Sequence, residues 1–198
     1  MGSAFFAVMT LLFWMLVIFG LGFCIVAIVC YNAIANNRNS VVRAWADVIT
    51  YERQKNNILP NIEEALKDYQ EYERDLQIKI TTLRTCINDI KVDELNNKTL
   101  KEVEDQTLSL IKGIKIALEN YPDLKTSSLM QNFMQEIAKQ QENIAAAIAI
   151  FNKNIEAFNN SIQTFPGYLV NSTWNHKTAI EPFSDQKALD TFEYKLYL

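Results

Sequence analysis

The chain has 198 residues, 19 of them basic and 23 acidic, for a net charge of −4. That length suits one domain with a proper core, or a smaller domain plus an anchor, and the balanced charge, without a basic block or an acidic tail, argues against nucleic-acid binding. With three cysteines no intramolecular disulfide framework is apparent, and a single histidine excludes a zinc site built mainly on histidine within one chain.

Residues 1–37 contain no Asp, Glu, Lys or Arg. Within them AFFAVMTLLFWMLVIFGLGFCIVAIVCY (4–31) is almost wholly apolar and exceeds the roughly 20 residues that span a bilayer. A cleaved signal peptide would have a basic start and an apolar run of only about 7–15 residues. The expectation is therefore a retained single-pass anchor over 1–37, in contact with the lipid bilayer. Arg38, Arg43, Arg53 and Lys55 follow the span, and only the α-amino group precedes it. The positive-inside rule then places the rest of the chain on the cytoplasmic side of the cell membrane. Cys24 and Cys30 lie in or beside the span, Cys86 stands alone beyond it, and sequons at Asn97, Asn159 and Asn171 would matter only in a secretory pathway.

Beyond the anchor only Gly113 and Gly167 remain among glycines, and the prolines are Pro60, Pro122, Pro166 and Pro182. Long stretches without either breaker favour helix. The first stripe runs Val41, Ala44, Val48, Tyr51, Lys55, Ile58, Ile62, Leu66, Tyr69, Glu73, Leu76, Ile80, Leu83, Ile87 and Ile90. It passes Pro60 with two successive steps of four, a stutter rather than a change of face. A proline inside a helix loses one hydrogen bond and clashes with the carbonyl four residues back, here Asn56. The reading is a continuous helix kinked at Pro60, with Asn56 and Asn57 helping to satisfy the freed backbone groups; a clean break there is the alternative.

VDELNNKT (92–99) is a polar turn whose Asn97 or Thr99 would cap a second helix carrying Leu100, Val103, Thr107, Ile111, Ile114, Leu118 and Tyr121. That helix ends before Pro122, and Ser127 or Ser128 would cap a third. The third carries Phe133, Ile137, Ile144, Ile148, Phe151, Ile155, Phe158, Ile162 and Phe165, and FPG (165–167) stops it. Stripes of this length must bury one another, so the fold class is all-α: an antiparallel up-down bundle over 38–166, of three long helices with the first kinked, or of four. The tail, 167–198, ends in a strand-like alternation of Phe192, Tyr194, Leu196 and Leu198; it is expected to pack irregularly on the bundle, with pairing to a second copy as the alternative.

Chemistry-bearing groups are sparse. His176 is the only histidine, and no CxxC pair, phosphate-cradling glycine loop or nucleophile motif occurs. The carboxylate pairs Glu63–Glu64, Glu71–Glu73 and Glu102–Glu104 read as solvated helix faces. Glu73, Asn152 and Asn159, polar residues on or beside apolar seams, are expected to satisfy one another across the bundle and fix register. No catalytic, cofactor-binding or metal-binding residue is assigned, no cofactor is expected, and the chain is read as a non-enzyme.

YN (31–32), RN (38–39), AWA (44–46), ILPNI (58–62), Lys67–Tyr69, ENYPDLK (119–125), ENI (142–144), FN (151–152), FN (158–159) and FP (165–166) occur in that order. The ordered set resembles the LemA family, small bacterial proteins with an N-terminal membrane helix. Ile148 stands where that family usually has arginine, and Tyr72 where histidine often precedes Glu73. The resemblance implies a four-helical bundle on a membrane stalk and no established reaction. It also suggests, as a partner, the membrane zinc metalloprotease whose gene often neighbours such genes. The expectation for function is a membrane-anchored helical scaffold forming homo-oligomers, with an adaptor or regulator of a membrane metalloprotease or envelope-stress system as the rival.

Overall fold

The computed structural model describes residues 2–66 and 70–184, with side chains from 6 onward except 7 and 70–73. Tyr69 and the strand-like end at 192–198 lie outside the described residues, as does the Glu73 side chain. The elements are α1 (Gly2–Leu66), α2 (Gln70–Asp89), α3 (Asn97–Asn120), α4 (Pro122–Thr126), α5 (Ser128–Gln163), α6 (Gly167–Val170) and a π turn (Asn171–Asn175). The protein is all-α, and α1 packs antiparallel against α5.

The chain divides into two compact units. One comprises α1 up to Val41 together with Lys153–Glu181; the other comprises Val42–Asn152 and the chain from Pro182.

In the first unit, the side chains of α1 are exposed almost throughout Val8–Val26, and cover begins at Ala27. Buried or half-buried positions then follow at Ala27, Cys30, Ile34, Asn37 and Val41, in steps of three and four. Opposite them α5 buries Ile155, Phe158 and Ile162, and Asn37 Nδ2 donates to the Ala157 carbonyl at 3.4 Å. Phe165, placed on the third stripe by its spacing, lies past the end of α5 and is 81% exposed. Gly167 is buried so close to the Ser161 carbonyl that a Cβ there would overlap it.

In the second unit the seam on α1 is Trp45, Val48, Glu52, Lys55, Leu59, Ile62 and Leu66, all buried. Its steps alternate four and three without interruption through Pro60, so the expected stutter at the proline is absent. The two successive steps of four fall instead at Asn37–Val41–Trp45, where α1 passes from one unit to the other. Pro60 itself is exposed and lies inside the helix. The Asn56 amide does not serve the freed backbone but donates to Asn88 Oδ1 at 3.2 Å.

The expected continuous stripe from Val41 to Ile90 belongs to two antiparallel helices. α1 ends at Leu66, six residues beyond the proline, and α2 runs back along it. Arg84 makes a two-pronged pair with Glu63, at 3.0 and 3.1 Å, and further on Arg53 and Trp45 reach the far end of α2. Arg53 donates to the Ile90 carbonyl at 3.1 Å and the Trp45 indole to the Lys91 carbonyl at 3.2 Å. These two bonds satisfy carbonyls that a helix C-terminus leaves without partners. α3 then packs antiparallel on α2, with Gly113 letting the Leu76 side chain approach its backbone to within 2.8 Å of a Cβ position. The α3 cap is Asn96, one residue before the expected pair: its Oδ1 accepts from the Lys98 and Thr99 amides. With Trp45 against Phe151 of α5, ring centroids 5.3 Å apart, the four long helices close this unit's core.

Because Pro60 sits on the exposed side of an otherwise regular helix, Pro60→Ala should keep the fold and restore the bond to the Asn56 carbonyl. The expected gain is up to about 3 kcal/mol in guanidinium unfolding followed by circular dichroism. Lost helicity in the variant would show that the proline specifies a turn.

Candidate functional site

Two polar constellations stand out against the apolar interior. The first lies within the second unit, where the heptad phase of α1 brings Glu52 and Lys55 into the core, both fully buried. They are three residues apart and therefore share a helix face. Lys55 Nζ lies 2.8 Å from Glu52 Oε2 and donates to Thr107 Oγ1 of α3 at 3.1 Å. Thr107 in turn donates to the Val103 carbonyl at 2.8 Å, so its hydroxyl is used as both donor and acceptor. Glu104, one turn before Thr107, is also buried, although its pairing with Glu102 suggested a solvated face. Neither oxygen of Glu52 receives an aligned hydrogen bond, so its attraction to Lys55 is an ion pair rather than a hydrogen-bonded one.

Lys55 and Thr107 both stand on the expected stripes, which was a legible signal. Glu52 was hidden by its neighbour Tyr51, the larger and more apolar choice at the same turn. A carboxylate, an ammonium and a hydroxyl buried together suit proton or cation chemistry only if a substrate can reach them, and here all three side chains are at 0% exposure. Their evident physical effect is on helix register.

The second constellation comprises Asn152 and Asn159 of α5. They do not meet each other. In the second unit Asn152 Nδ2 donates to the Phe183 carbonyl at 2.7 Å, and its Oδ1 accepts from the Phe183 amide at 2.8 Å. In the first unit Asn159 treats Ile180 identically, at 2.8 and 2.9 Å. Each carboxamide thus pairs with one residue's main chain as a neighbouring strand would. Phe183 is also buried, so its attachment combines two hydrogen bonds with apolar packing.

Other candidates are dispersed. Cys24, Cys30 and Cys86 are free. His176, in the left-handed conformation with φ 47°, caps the π turn through its amide. Among the described residues no group of three or more His, Cys, Asp or Glu side chains comes together as a metal site would require. A polar depression of about 200 Å³, lined by Asp89, Lys91, Glu94, Asn96 and Thr99, lies beside the α2–α3 turn. The Cys86 thiol is raised above its ordinary 9.0 by burial, then by the negative charges of Glu102 and Asp89.

Lys55→Met would leave Glu52 buried without its cation and should cost about 3–5 kcal/mol in chemical unfolding. Glu52→Leu combined with Lys55→Leu should be neutral or stabilising, by about 1–4 kcal/mol. A single variant no worse than the double would show that the pair does not act as a unit. For Cys86, alkylation by iodoacetamide in a Cys24→Ser, Cys30→Ser background should titrate above 9.0. The folded thiol holds its proton more tightly than the unfolded one. Its contribution to stability is thus complete below 9.0 and fades as pH rises through the folded value. An alkylation midpoint at or below 9.0 would contradict this environment.

The model of the LemA family matches residues 44–188. The chain is 30% identical over 134 residues to the Protein LemA of Metamycoplasma hominis, an alignment covering 68% of this chain and 60% of that protein. The chain thus spans about three-fifths of the length of the curated relative it matches. The family match takes in AWA, ILPNI, the Glu52–Lys55 pair and both tail-holding asparagines. With nearly all of the bundle and its strap inside that match, the chain belongs to the LemA family.

Proposed function

We propose that this protein is a non-catalytic, single-pass membrane scaffold that self-associates, its helical bundle on the cytoplasmic side. The observation that carries the reading is the outer surface of α1. From Val8 to Val29 large apolar side chains point outward on all sides of the helix, with Phe13, Leu16 and Phe19 each more than 60% exposed. Each such side chain left in water costs about 1.5–3 kcal/mol relative to an apolar environment. A bilayer supplies that environment, and a helix satisfies its backbone within it.

Two further features favour a scaffold over an enzyme. The buried charges in the second unit are engaged by one another and by Thr107, with no described opening to a substrate. The carboxamides of Asn152 and Asn159 are already occupied by main chain. For self-association, the support is the nature of those asparagine contacts. They read backbone rather than side chains, so the same segment from another copy would satisfy them equally, as in segment exchange.

Crosslinking and native mass spectrometry of the full chain in mild detergent should give one defined oligomer. A clean monomer would overturn self-association, and reproducible co-purification of a membrane protease with that monomer would favour the adaptor role. Retention in the membrane after an alkaline wash tests the anchor separately; release to the supernatant would remove it.

A further inference from the structure

A second charge-free run faces the first. Residues 157–176, AFNNSIQTFPGYLVNSTWNH, contain no Asp, Glu, Lys or Arg and are bounded by Glu156 and Lys177. They carry the end of α5, then α6 and the π turn, all within the first unit. Past α5 the polarity of burial is inverted. Gly167 and Val170 are covered, whereas Phe165 is 81% exposed, Trp174 59%, Tyr168 57% and Leu169 43%.

The position of this aromatic cluster follows from register. α5 runs antiparallel to α1, with Asn37 beside Ala157. Each helical residue advances about 1.5 Å, so the six residues from Ala157 to the end of α5 at Gln163 lead back along α1 by about 9 Å. That distance ends near Tyr31, at the C-terminal limit of the apolar run. Burial agrees independently: among the described residues Ala27 and Ile34 are the first buried positions on α1, and the exposed apolar side chains continue to Tyr31. The cluster therefore sits beside α1 at the level where the span meets its polar continuation.

We infer that Phe165, Tyr168, Leu169 and Trp174 form an interfacial foot that dips into the headgroup–acyl boundary of the bilayer crossed by α1. This rests on the reading of α1 as a span. Trp and Tyr favour that boundary because each ring has an apolar body and a polar tip. Short amphipathic elements lie in its plane with the apolar face inward. Three polar side chains of the foot fit the setting because they bond locally, while the buried Asn175 Nδ2 has no hydrogen-bond partner among the described residues. Ser172 and Thr173 donate to the Leu169 carbonyl at 3.0 and 2.8 Å, and the Asn171 side chain bonds both the amide and the carbonyl of Lys177 at 2.9 Å. Lipid is the occupant favoured over a second copy because the surface is continuous with the span and uncharged along its whole length.

The test uses the full chain in phosphatidylcholine–phosphatidylglycerol vesicles with benzoylphenylalanine at one position per variant. The variants are Tyr168→benzoylphenylalanine, Trp174→benzoylphenylalanine, Trp14→benzoylphenylalanine as the span reference, and Ile150→benzoylphenylalanine, an exposed apolar site in the other unit. Irradiation should give lipid adducts at 14, 168 and 174 and none at 150. Adducts at 14 alone overturn the foot and leave the anchor standing, whereas adducts at none of the four overturn both. Protein–protein adducts replacing lipid at 168 and 174 would assign the surface to a second copy and overturn the inference. Equal lipid labelling at 150 would overturn it too.

Discussion

A helix that must keep one face against its neighbours over seven turns has little freedom in which residues it buries. From Val41 to Leu66 the α1 seam alternates steps of four and three, and that phase takes Glu52 and Lys55 into the core. Removing two charges from water costs several kcal/mol for each ion even after relaxation. Part of that is recovered by the contact between them and by the bond from Lys55 to Thr107. Because those atoms come from α1 and α3, the recovery is complete only when both helices stand in one register. A slip of α3 by one residue would turn Thr107 away and strand the ammonium. The pair thus adds little net stability while penalising neighbouring arrangements heavily.

That constraint also explains what could be read from the sequence and what could not. The all-α class, the helix-rich composition and the antiparallel packing follow from breaker-poor stripes, and those stripes were plain. The errors were local and share a cause. At several turns the expected stripe takes one residue while its neighbour is the buried one: Glu52 beside Tyr51, Leu110 beside Ile111, Ala117 beside Leu118 and Ala147 beside Ile148. Bulk is a poor guide where helices approach closely, since small residues and paired charges then occupy the interface. The supposed stutter at Pro60 was a product of the same choice, because Leu59 rather than Ile58 keeps the rhythm even. The reversal between α1 and α2 leaves little signal in the sequence because Leu66 and Leu76 lie on compatible stripes, and no proline or glycine punctuates the interval between them.

Asn152 and Asn159 illustrate a different limit. Their place beside the aromatic seam marked them as unusual, and a pairing across the bundle was the natural expectation. What they bind is main chain, which leaves no residue-type signal in the segment bound. Ile180 and Phe183 need only be extended and unencumbered.

The buried polar groups of the described chain are largely engaged in its own architecture: the Glu52–Lys55 charges in register, the two asparagine carboxamides in holding the returning segment. The exposed large apolar side chains are concentrated on α1 and on the residues following α5. A protein whose recognition groups are mainly hydrophobic surface and main-chain hydrogen bonding has contacts of low side-chain specificity. Specificity must then come from geometry and from confinement. Anchoring in a bilayer, as proposed, would supply confinement by reducing the search for a neighbour to two dimensions. An aromatic foot level with the headgroups would supply geometry by limiting the tilt of the first unit, since tilting away lifts Phe165 and Trp174 into water while tilting inward drags the charged residues from Arg38 onward toward hydrocarbon. The two penalties would oppose each other, and on the proposed reading their balance would fix the height of this unit relative to the bilayer.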